Sequence, residues 1–205
     1  MFNPLHRNDF YQKSERGRML RAMTINDITY WGSFSFISVI FALFVIEYIE
    51  GGSATHVGLA MMIYSVISAG FSIPAGRFFD THKGYLDEVW GLALSGFLTG
   101  LIYIAMSFAS QLWHLYVAMG MLGILASINM SSWRILFYNN IRKREYGETI
   151  GIYQTLFSIG EGGAMALGGF FGETFGFDAV IFWGGIAIFV GGFLPLLIRS
   201  YFSKR

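Results

Sequence analysis

The chain has 205 residues, of which 54% are hydrophobic and 13% charged, about half the charged share usual for a soluble domain. That is too little charge to cover a water-facing surface, so lipid is the expected solvent. The formal net charge of +1 argues against a nucleic-acid partner, and the absence of cysteine excludes disulfide frameworks, thiol catalysis and zinc–thiolate sites.

Residues 1–24 form a basic, aromatic segment with Arg7, Lys13, Arg16, Arg18 and Arg21. It lacks the apolar run of a cleaved leader. Such a segment lies in solvent or along the interface, where its cations suit anionic lipid. Six apolar segments follow, at 25–48, 54–75, 89–109, 112–136, 149–171 and 177–198, and 199–205 make a short tail. Each segment reaches the ~20 residues that a helix needs to cross a hydrocarbon core of about 30 Å. None alternates as a barrel strand would. The expected fold is an all-α integral membrane protein with six transmembrane helices.

Between the second and third segments, Ala75-Gly76-Arg77-Phe78-Phe79-Asp80-Thr81-His82-Lys83-Gly84 reads as a charged, glycine-bounded loop. All fourteen Lys and Arg residues lie in or beside the N-terminal segment, this loop, the loop after the fourth helix, or the C-terminal tail. The other three loops carry Glu47, Glu50, Glu173 and Asp178 instead. By the positive-inside rule both termini are expected in the cytoplasm, with the chain crossing the inner or plasma membrane several times.

Beyond Asp178, the third and sixth helices are uncharged and carry Gly96, Gly100, Gly184, Gly185, Gly191 and Gly192. Small residues let helices approach closely, so these two are expected at the periphery. The other four helices hold the polar residues and are expected to face a protein or aqueous interior.

At a constant offset of 93 residues, Gly58 matches Gly151, Ser65 Ser158, Gly70 Gly163, Gly76 Gly169, Phe78 Phe171, Asp80 Glu173 and Thr81 Thr174. The first block runs from outside to inside and the second from inside to outside, which makes a 3+3 inverted repeat. Inverted repeats mark transporters, because two similar units of opposite orientation can open alternately to either side.

Six helices in such a repeat, together with the Gly76–Gly84 stretch, resemble one half of a major facilitator superfamily transporter. Gly76 and Asp80 match the core of the family's signature between helices 2 and 3, with Arg77, Lys83 and Gly84 completing it; Gly84 falls one place late and Thr81 replaces a basic residue. Gly151, Gly160, Gly168 and Gly169 are spaced like the antiporter glycine motif, although Ala164-Met165 stand where that motif has Gly-Pro. The resemblance covers about residues 22–198. It implies alternating access between two such halves, here two copies in a parallel homodimer or this chain with a second six-helix chain. It also implies that Asp80 meets the cytoplasmic start of the partner's fifth helix.

Within the fifth helix, Glu161 lies about 18 Å from the start at 1.5 Å per residue, near the midplane. An intramembrane carboxylate costs roughly 2.5–3.5 kcal/mol on insertion scales and is a functional candidate by default. Gln154, Ser158, Glu161 and Met165 recur at helical spacing as one stripe. Glu161 is thus the candidate for proton coupling or substrate binding, or else a structural hydrogen-bonding group. Asn129, Tyr30 and Trp133 are the accompanying candidates. Asp27 and Arg134, each a turn or so inside the cytoplasmic boundary, could form a gate pair; alternatively Arg134 snorkels and Asp27 caps its helix. Ser65, Ser68 and Ser72 form a hydroxyl stripe suited to helix packing. No catalytic triad, phosphate loop or metal spacing is visible, so no enzyme activity, cofactor or metal is expected. The leading expectation is a half-size secondary transporter of a small molecule or ion; the rival is a non-transporting membrane scaffold.

Overall fold

The computed structural model describes residues 8–81 and 84–202. Its described residues are helical throughout, without a β-strand; the one bridge joins Glu50 and Gln111 in two outer turns. The elements are α1 (Glu15–Ser38), α2 (Phe41–Tyr48), α3 (Ala54–Thr81), α4 (Leu86–Met106), α5 (Leu112–Tyr138), α6 (Tyr146–Phe175), α7 (Phe177–Gly191), α8 (Leu194–Leu197) and α9 (Arg199–Phe202).

Helix α1 begins well before its apolar stretch because Ser14 caps it: the Ser14 hydroxyl accepts from the amide of Gly17 at 3.1 Å, and Glu15 sits in the first turn. The helix breaks after Ser38, and α2 leaves at a 47° bend. No proline is involved. The amide of Ile40 turns back to Ile37 rather than to Phe36, and the Ser38 hydroxyl bonds the carbonyl of Ser35 at 3.1 Å. Gly168 of α6 lies against the Phe36 carbonyl here, where a β-carbon would come within 2.1 Å of the oxygen.

Helix α3 corrects the reading of 75–84 as a loop. It continues through Pro74 and the whole of Gly76–Thr81, so Gly76, Arg77 and Asp80 are helical. The turn comes only at Gly84, whose φ of +109° suits glycine. Lys83 lies outside the described residues. Helix α6 is similarly long, 30 residues, and ends at Gly176, again with positive φ.

Four helices (α3, α4, α5 and the α7–α8 run) are long and apolar enough to cross a membrane, and a fifth span results if α1 and α2 are one bent unit. Helix α6 has the length but not the mean hydropathy, since its sequence holds Gln154, Glu161 and many glycines. The chain is therefore a helical membrane protein.

The helices pack in sequence around a bundle: α3 on α5, α5 on α4, α4 on α7, α7 on α1, and α1 on α6. One apolar core lies around Phe41, Phe44, Leu115 and Ile181, and another around Met19, Met23, Leu136 and Phe137. Helices α4 and α7 meet through glycine, as close packing requires. A β-carbon on Gly100 would lie 2.5 Å from the Phe189 amide, and one on Gly185 2.9 Å from that of Ile104.

Helices α3 and α6, at the two ends of this order, are left largely uncovered. Only 6% of the apolar window of α3 is buried in the chain's own fold, against 50% for α4 and α5. Gly58, Gly70 and Gly76 of α3, and Gly151, Gly162, Gly163 and Gly169 of α6, have nothing within 4 Å of where a β-carbon would sit.

Candidate functional site

Between α1, α5 and α6 lies a cavity of about 300 Å³. Helix α1 contributes Asp27 and Trp31, one turn apart. Helix α5 contributes Met130, Trp133, Arg134 and Tyr138, and α6 contributes Tyr153, Gln154 and Phe157. Spacings of three, four and one place each set on the inner face of its helix.

Asp27 is 4% exposed. The Tyr153 hydroxyl donates to its Oδ2 at 2.5 Å. Its other carboxylate oxygen has no protein partner among the described residues. Trp133 is fixed by an indole N–H bond of 3.2 Å to the carbonyl of Met23, and its ring packs against Phe137 and Tyr153 with centroids 4.5 and 4.8 Å away. Trp31 is held edge-on between Tyr30 and Phe34. The aromatic walls are thus rigid, and the polar groups Asp27, Arg134 and Gln154 project from them.

Asp27 and Arg134 line the same cavity but do not form an ion pair with each other. The carboxylate takes Tyr153 instead, and among the described residues Arg134 has no acidic partner. Gln154 lines the cavity and donates to Ser158 at 3.2 Å along α6.

Glu161 lies two turns beyond Tyr153 on α6. It accepts from the hydroxyl of Ser35 at 3.0 Å, just ahead of the α1–α2 break. Asn129 is elsewhere: its amide donates to Ser95 of α4 at 3.0 Å, while its Oδ1 is buried without a partner. Tyr30 is also outside the cavity, its hydroxyl bonded to Thr99 at 3.1 Å in the α1–α4 contact. The structure therefore joins Asp27, Trp133, Arg134 and Gln154, sets Glu161 apart with Ser35, and turns Asn129 and Tyr30 toward α4.

Tyr153 is the residue that sequence reasoning missed. It shares a stripe with Phe157 and Glu161 at four-residue spacing, which was a signal for it. Also unforeseen was the anchoring of the N-terminal segment. Asp9, 2% exposed, is bound by Arg142 at 3.0 Å and Arg16 at 3.4 Å, and its amide donates to Glu145 at 2.8 Å. Asn8 bonds Thr149 at 3.2 Å. These contacts tie the chain ahead of α1 to the α5–α6 connection.

A larger depression of about 610 Å³ opens outward between α4 and α5. Its lining is aliphatic and aromatic, with His114 as the one ionisable side chain, so it offers far less specific chemistry than the smaller cavity. No group of His, Asp and Glu suited to a metal occurs among the described residues.

The family model described as Major Facilitator Superfamily matches residues 25–205. No curated protein matches the chain.

Proposed function

This chain belongs to the Major Facilitator Superfamily of membrane transporters, and we propose that it acts as a half-size secondary transporter whose second half is another copy in parallel orientation. The observation that carries this reading is the uncovered side of the bundle. The open glycines pair across the 93-residue offset: Gly58 with Gly151, Gly70 with Gly163, Gly76 with Gly169. Helix α3 shifted by that offset spans 147–174, within one residue of α6 at each end. The packing order has the same symmetry, since α3 on α5 is mirrored by α1 on α6, and α4 meets α7 at the centre. These relations support a 3+3 inverted repeat of six spans, with α1–α2 and α7–α8 each counted once. The distribution of Lys and Arg supports cytoplasmic termini.

Lipid alone is an incomplete cover for α3 and α6. Their exposed faces carry large apolar side chains such as Val66, Phe71, Ile159 and Phe170, but set among them are glycines with Ser65, Ser72, Gln154, Thr155 and Ser158. Small and hydroxyl residues suit close helix contact. A second bundle seated there would close the open side of the cavity and let two units rock about a shared central space. Glu161, with Ser35 as its only protein partner among the described residues, is the candidate coupling group. Its carboxylate stands where α1 breaks, at the α1–α6 contact.

The rival reading is a membrane scaffold that does not transport, and a further one pairs this chain with a non-identical six-helix unit. Reconstitution in liposomes loaded with a proton-sensitive dye separates transport from scaffolding. Solute-dependent proton movement or solute counterflow supports the proposal, and silence in both assays rejects it.

A further inference from the structure

The cavity between α1, α5 and α6 holds an acidic and a basic side chain that do not pair with each other. Asp27 is buried and presents one oxygen with no protein partner; Arg134 stands in the wall without an acidic partner among the described residues. A carboxylate held by one donor is only half-satisfied, and a direct ion pair across the cavity would supply the second partner. The fold forgoes that pair. Tyr153 holds the carboxylate from α6 at 2.5 Å, and the indoles of Trp31 and Trp133 fill the wall around it.

This arrangement discriminates by charge. Indole faces attract cations, most strongly where water is excluded, and the free carboxylate oxygen adds a charged acceptor. A simple cation gains these contacts but meets the guanidinium in the same space. A simple anion gains the guanidinium but meets the buried carboxylate. A molecule carrying both charges satisfies both ends, and the cavity's ~300 Å³ lies at the small end of ligand sites. We infer that this cavity receives a small zwitterion, with its cationic nitrogen at Asp27, Trp31 and Trp133 and its anionic group toward Arg134. The inference rests on the transport reading for its physiological meaning, but its binding test stands apart.

The test uses two sets of matched probes on the purified full chain in lipid nanodiscs, read by thermal stabilisation and tryptophan fluorescence. One set is glycine betaine, ethyltrimethylammonium and 3,3-dimethylbutanoate; the other is phenylalanine, phenethylamine and 3-phenylpropanoate. At least one zwitterion is expected to bind more tightly than both singly charged counterparts by roughly ten- to a hundredfold, the worth of one charge-assisted contact. Arg134→Gln, at an exposed position, is expected to erase the preference over the cation. Asp27→Asn is expected to erase the preference over the anion. The inference is overturned if neither zwitterion binds, if a singly charged member binds as well, or if Arg134→Gln leaves the preference intact. Uptake of a singly charged solute by proteoliposomes would sustain the transport reading while overturning this one. Zwitterion binding without uptake would do the reverse.

Discussion

The hydroxyl of Tyr153 donates to Asp27 Oδ2 at 2.5 Å, so α6 and α1 meet at a buried carboxylate across 126 residues of sequence. Ser35 with Glu161 is a second polar contact, farther along the same two helices. Removing the Tyr153 hydroxyl leaves Asp27 without a protein donor. Tyr153→Phe should therefore lower stability by about 1–3 kcal/mol, the usual cost of orphaning a buried partner, read as a lower unfolding midpoint in detergent. An unchanged midpoint would show that water replaces the hydroxyl without loss.

Glu161 makes a contrasting prediction. It is only partly buried and keeps Ser35 as a donor, so Glu161→Gln preserves shape and a hydrogen-bonding group. Folding should be intact, within about 0.5 kcal/mol, while coupled transport is lost. Full activity in the variant would leave Glu161 as a structural hydrogen-bond acceptor.

The N-terminal anchor joins the bundle through a buried carboxylate. Asp9→Ala removes the carboxylate shared by Arg142 and Arg16. Because both arginines are partly exposed, at 47% and 30%, the loss should fall between the ~1 kcal/mol of a surface pair and the ~3–5 of a broken buried one. The expected result is faster trypsin cleavage after Lys13, Arg16 and Arg18 together with a lower unfolding midpoint. Equal protease resistance would mean that Asn8, Glu145 and Thr149 hold the segment on their own.

Two kinds of glycine should respond oppositely to bulk. Gly100→Val drives a side chain into the backbone of α7, where 2.5 Å is all that separates a β-carbon from the Phe189 amide. It should cost more than the ~1–3 kcal/mol of ordinary overpacking and abolish folded protein in the membrane. Gly163→Leu meets nothing within 4 Å inside the chain. It should leave the folded bundle intact and shift the protein from dimer to monomer, measured by size exclusion with light scattering. A dimer population unaltered by Gly163→Leu would remove α6 from the interface.

Much of the helical scaffold is legible in the sequence, since apolar runs of membrane length and glycine at close crossings are one-dimensional signals. The α4–α7 contact through Gly100 and Gly185 belongs to this class. The break at Ser38–Phe41 is not legible, because no proline marks it and its cause is a competition among Ser35, Ser38 and Phe36 that α6 helps decide. Nor is the length of α3: Pro74 and Gly76 read as helix breakers, yet no residue between them and Gly84 forces the chain to turn. Of the candidate residues, the acidic and basic ones, Asp27, Arg134 and Glu161, stand out because such residues are rare in lipid. Their partners do not, since Tyr153 and Ser35 are ordinary residues until the fold sets them beside a carboxylate. Asp9 is invisible for the same reason, its partners Arg142 and Glu145 lying far along the chain.

The central claim is that two copies complete one transporter, and the absence of native cysteine makes it directly measurable. One tagged copy carrying Asp80→Cys and a differently tagged copy carrying Gly147→Cys, co-expressed and oxidised in the membrane, report whether the end of α3 meets the start of the partner's α6. The account predicts a disulfide-linked product bearing both tags at twice the mass of one chain. Products of single-chain mass only, across both cysteine positions, would contradict it.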